Sequence, residues 1–131
     1  MNAPLDLLDT VRAHLTEFEL PALWSIYITT SSAGPSVSVQ LACHQRPGVA
    51  CGLLAWADTL SEVTAEAWRV PSGESIHLSV TGRLSDGVTV RVYGGVPFAG
   101  LRVGAGTAPD ARTTIPLAVL RAMATLGEAI L

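Results

Sequence analysis

The stretch "IHLSVTGRLSDGVTVRVY", Ile76 to Tyr93, decides the fold. Ile76, Leu78 and Val80 alternate with His77, Ser79 and Thr81, and after a polar break Val88, Val90 and Val92 alternate with Thr89, Arg91 and Tyr93. A side-chain period of two marks strands with one buried face. The Asp86-Gly87 pair between the two runs closes them into a hairpin. If Ile76, Val80, Val88 and Val92 face a core, the other side carries His77, Ser79, Thr81, Arg83, Thr89, Arg91 and Tyr93.

Upstream, "EVTAEAWRV" fits either a continued helix or a strand, and Val63, Thr64 and the alternation through Trp68 and Val70 favour the strand. Before it, "RPGVACGLLAWADTL" puts Pro47 at a helix start and Leu53, Trp56 and Leu60 on one side. Two more alternating runs, "LWSIYITT" and "SVSVQLACH", flank the turn residues "SSAGP" and predict an antiparallel hairpin. Leu7, Leu8, Val11, Leu15 and Phe18 recur at helical spacing and predict a first helix over 4–18. Downstream, 94–112 reads as a glycine-rich loop in which Gly94-Gly95 break the strand. Thr114 then caps a C-terminal helix over 113–131, apolar on nearly every side.

These elements predict one α+β domain over 1–131 in the order αββαβββα. About five strands form a mainly antiparallel sheet with helices packed on one face, a two-layer sandwich. Hydrophobic residues make up 49% of the chain and charged residues 15%, more apolar material than a monomer of 131 residues usually needs. A homodimer is therefore expected, joined through Leu120, Met123 and Leu126 or through an exposed strand edge. The longest apolar run is too short to cross a bilayer, and the opening residues lack the basic and apolar regions of a secretory signal. The expected compartment is the cytoplasm, with Cys43 and Cys51 as reduced core thiols and no membrane partner.

The glycine-rich stretch does not match a phosphate-binding loop. Gly104 and Gly106 are followed by "TAPDA" rather than by a helix, and the chain has no lysine. Cys43, His44 and Cys51 lack a second close pair of zinc ligands, so no metal or cofactor is expected. A Cys51 thiol with His44 or His77 is a pairing that only the fold decides, no serine has a nucleophile-elbow context, and no catalytic residue is assigned.

"LLAWADTLSEVTAEAW" and "HLSVTGRLSDGVTVRVYGGVPF" resemble small uncharacterised proteins of high-GC actinobacteria, a resemblance that implies no activity. The element order is similar to that of roadblock/LC7-type dimeric scaffolds and, in part, to secretion-chaperone folds.

The function expected is that of a non-enzymatic, cytoplasmic, dimeric protein-binding or regulatory module. Its candidate surface is the polar sheet face, with Tyr27, His44, His77, Arg83, Arg91 and Tyr93. One alternative is single-stranded nucleic-acid binding by stacking on that face, which the net charge of −3 disfavours. The other is small-molecule binding or catalysis with 94–112 as a lid.

Overall fold

The computed structural model describes residues 3–32, 34–43, 45–71, 74–84, 87–97, 110 and 112–126. The elements are α1 (Ala3–Glu17), β1 (Leu23–Ser31), β2 (Gly34–Leu41), α2 (Arg46–Ala57), β3 (Ser61–Arg69), β4 (Ser75–Arg83), β5 (Thr89–Pro97), β6 (Arg112–Ile115) and α3 (Leu117–Leu126). The strands form one open, mixed sheet in the order β1-β2-β5-β4-β3-β6. The chain is thus α+β, as the alternation of residues 76–93 predicts.

The β4–β5 hairpin forms as the alternation predicts. Ile76 lies opposite Val96 and Val80 opposite Val92, and Leu84 and Val88 close the turn through Leu84 N–H donating to the Val88 carbonyl at 2.9 Å. Gly87 stands at φ +88°, a conformation that strains residues with a Cβ. Residues 61–69 form a strand, which settles that segment against a longer α2.

Three features of the sheet differ from the expectation. First, it has six strands. Residues 112–115 pair with β3, placing Ile115 beside Ala65 and Thr113 beside Ala67, so Thr114 belongs to β6 and does not cap the last helix. Second, β2 runs parallel to β5, with Val37 beside Val90 and Val39 beside Val92, while the other four junctions are antiparallel. A parallel junction needs a long crossover, which α2, β3 and β4 supply. Third, β5 continues through Gly94 and Gly95 to Pro97. Gly94 faces inward, where a Cβ would come within 2.9 Å of Val49 Cγ1. It lets α2 approach the strand closely rather than ending it.

One face of the sheet is lined by Val37, Val39, Leu41, Ala65, Ala67, Ile76, Leu78, Val80, Val90 and Val92, all buried. α2 sets Val49, Leu53 and Trp56 against this face over β4 and β5, and α3 packs beside α2. Each fully buried Leu or Val contributes roughly 1.5–3 kcal/mol of transfer free energy. α1 turns Leu7, Val11 and His14 inward at i, i+4, i+7 spacing. The His14 ring lies 5.4 Å from that of Trp56, and its Nε2 is 2.8 Å from Thr59 Oγ1. Since Thr59 donates its only hydroxyl hydrogen to the Trp56 carbonyl at 2.7 Å, His14 Nε2 must be the donor.

Leu120 and Met123 are fully buried within a single copy of the chain. They are core residues here and not an exposed dimer surface, because α2 covers the side of α3 that carries them. The side chain of Leu126 lies outside the described residues, as does the remainder of the expected helix, 127–131. Among the described residues, no helix is long and apolar enough to cross a membrane.

Candidate functional site

The second face of the sheet carries the alternate residues of the same strands. Register places Gly95, His77, Trp68 and Arg112 side by side across β5, β4, β3 and β6. One step along, Tyr93, Ser79, Glu66 and Thr114 form the adjacent row. Diagonal neighbours on paired strands are within reach of aromatic side chains.

That geometry builds a continuous ladder of rings and guanidinium groups. His77 lies over Gly95, whose absent side chain leaves the space, since a Cβ there would sit 3.2 Å from His77 Cδ2. From that position the imidazole stacks on Tyr93 with centroids 5.8 Å apart and planes at 16°. Its other side meets Trp68 edge-on at 5.2 Å and 89°. Arg91 caps one end, its guanidinium carbon 4.8 Å above the Tyr93 ring, and Arg112 caps the other, 4.9 Å above Trp68. Each such contact contributes on the order of 0.5–1 kcal/mol where solvent is near.

Two polar contacts hold the Trp68 end. The indole N–H donates to Asp110 Oδ1 at 3.1 Å, and Asp110 N–H donates to the Arg69 carbonyl at 2.7 Å. Asp110 adopts φ 66°, a left-handed conformation that Asp tolerates better than most residues. Arg112 donates to Glu66 Oε1 at 3.0 Å, which fixes the guanidinium over the ring.

Of the residues expected on this face, His77, Arg91 and Tyr93 come together. Arg83 stands apart at the end of β4, paired with Glu62 at 2.9 Å. Tyr27 is on the same face but on β1, separated from Arg91 by Ser38 of β2. His44 lies outside the described residues. Trp68 and Arg112, which complete the ladder, were missed. The alternation in 62–70 was the available signal for Trp68, whereas Arg112 depends on β6.

A shallow hollow of about 360 Å³ opens beside the ladder between Gln40, Ser75, His77, Gly95, Val96 and Pro97. Cys51 is exposed on α2, and the sheet separates it from His77, so that thiol–imidazole pair does not form. Cys43 lies at the entry to α2, its Sγ accepting from Gln45 N–H at 3.5 Å. Among the described residues, no group of three or more His, Cys, Asp or Glu side chains is placed to hold a metal ion.

Burial pushes the His77 pKa below its ordinary value, with Arg91 and Arg112 adding to the shift. Burial also lowers that of His14, against a smaller opposing effect of Glu17. Both imidazoles are therefore harder to protonate in the folded chain than in the unfolded one. Their stabilisation is fully present above the unfolded value of about 6.5 and is lost as pH falls through the lower folded values. The urea midpoint should accordingly drop between about pH 7.5 and pH 5.5, and drop less in His77→Gln. A midpoint that is flat or rises on acidification contradicts this.

No family model, curated protein or solved structure matches the chain.

Proposed function

We propose that the chain is a non-enzymatic, cytoplasmic, homodimeric binding module that takes a protein partner on its outer sheet face. The observation that supports this most directly is the Arg91–Tyr93–His77–Trp68–Arg112 ladder, a set of side chains already packed on one another on a face that bears no helix among the described residues. Tyr, Trp and Arg are the residue types that dominate protein–protein binding energies, and rings fixed before binding lose little entropy when a partner arrives.

Charge favours a protein over a nucleic acid. Arg112 is tied to Glu66 and Arg83 to Glu62, so their charges are matched within the face, and the chain carries −3 overall. A phosphate backbone needs unmatched positive charge along its track. The small-molecule alternative retains the open hollow beside His77 and one of about 260 Å³ between Glu62, Thr64, Thr81, Gly82, Arg83 and Thr89, and most of the proposed lid, 98–109, lies outside the described residues.

The test is chemical cross-linking in native cell extract with wild-type protein and with Trp68→Ala and Arg91→Ala. A protein joined to the wild type in defined stoichiometry and lost from both variants supports the reading. Equal labelling of all three overturns it. A labelled deoxythymidine 15-mer should show no anisotropy change at low salt, and a salt-sensitive complex lost in Arg91→Ala would replace the protein reading with the nucleic-acid one.

A further inference from the structure

The two ends of the sheet are built differently, and the difference points to the partner for one of them. β6 has four residues, carries Arg112 and runs into Pro116. Short length, charge and proline are the usual protections of a sheet edge against pairing with another strand. β1, at the opposite end, has nine residues, LWSIYITTS, with no Asp, Glu, Lys, Arg or Pro. Among the described residues, the large hydrophobic side chains left exposed all belong to this end: Trp24 and Tyr27 on β1, and Leu5 and Leu8 on α1, the helix packed against β1.

We infer that β1 pairs with β1 of a second copy of this chain, antiparallel and about a two-fold axis, joining the two sheets into one. The occupant is argued from charge and size. Each copy carries −3, yet β1 itself brings no carboxylate or cation to the strand pairing, and on the flanking α1 Asp9 and Arg12 pair within one copy at 3.6 Å. At about 3.3 Å per residue the strand is about 30 Å long, and sheet plus helix layer give the end of the molecule a depth of about 20 Å. That patch, about 600 Å² on each copy, brings the pair to about 1,200 Å², the lower bound for a specific, stable interface. Trp24 is the extra residue where the β1–β2 register shifts between Leu23 and Ser25, which leaves the stretch after it regular for pairing. A two-fold axis normal to the sheet puts both ring ladders on the same side of the joined sheet.

This inference rests on the homodimeric part of the proposed function and specifies its interface. The experiment is sedimentation equilibrium of the full chain from about 1 to 100 µM, with wild type, Trp24→Lys/Tyr27→Lys and Trp68→Ala. Both replaced β1 side chains are exposed, 69% and 70%, so one copy tolerates the lysines. The expected result is a wild-type species of twice 13.7 kDa, with dissociation strengthened at least about tenfold by the lysines and unchanged by Trp68→Ala. Amide exchange gives a readout that does not depend on the variants: β1 should exchange more slowly at the high concentration than at the low one, and β6 equally at both. A dimer unaffected by the lysines, or concentration-dependent protection elsewhere than β1, overturns the edge pairing but leaves a dimeric module. A wild-type monomer throughout the range overturns both.

Discussion

Trp56→Ala should cost about 3–5 kcal/mol of folding stability, the range for removing a large buried aromatic side chain. Trp56 is 1% exposed and stands where α1, α2 and the sheet meet, its ring stacked on His14 and bordering a small gap together with Val11, Val37, Leu84 and Val90. A domain of this size has a total stability on the order of 5–15 kcal/mol, so the variant should unfold at a much lower urea concentration. Trp56→Phe separates packing from hydrogen bonding. Among the described residues, Trp56 Nε1 is buried without a partner, and phenylalanine removes that unpaired donor along with part of the ring. Its cost should stay under about 2 kcal/mol. Equal losses in the two variants would show that the indole N–H makes a bond that matters.

The adjacent glycines of β5 should respond in opposite ways. Gly94→Val directs new atoms at Val49, whose Cγ atoms would lie 2.9 and 3.1 Å from the Cβ alone, and it should cost about 1–3 kcal/mol through overpacking. Combining it with Val49→Ala should recover much of that loss, a coupling that a double-mutant cycle measures directly. Gly95→Ala faces the other way, where the Cβ meets only the partly exposed His77 ring at 3.2–3.3 Å. Its unfolding free energy should change by less than about 1 kcal/mol, because the reduced freedom of the unfolded chain offsets the contact. The displaced imidazole should nevertheless lose its stacking on Tyr93 and weaken partner cross-linking. A Gly94→Val variant as stable as wild type would mean that α2 does not approach β5 as described.

What was legible in the sequence was whatever repeats locally. The alternation assigned the strand side chains of 76–83 and 89–93 to the correct face, because a period of two leaves only one choice once the apolar side is buried. It also placed His77, Arg91 and Tyr93 together. The ladder itself was not legible, since the His77–Tyr93 stack is diagonal and needs both the register and the gap at Gly95. β6 is four residues long and acquires its structure from the open edge of β3, a partner far away in sequence. The same distance hides the parallel junction of β2 with β5. The last helix is apolar on almost every side, a pattern that predicts an interface. A helix of that kind equally suits a core, and α2 supplies the cover for Leu120 and Met123.

The parallel β2–β5 junction also bears on assembly. The β1–β2 hairpin and the β3–β4–β5 meander can each close through short connections, whereas the seam between them joins Val37 to Val90 across α2, β3 and β4. Closing so long a loop before any contact rewards it is the slow part of folding. On the ribosome, the Val37 and Val39 side of the hairpin must wait for Val90 and Val92 to be synthesised, so the N-terminal third spends that interval with one flank unmatched.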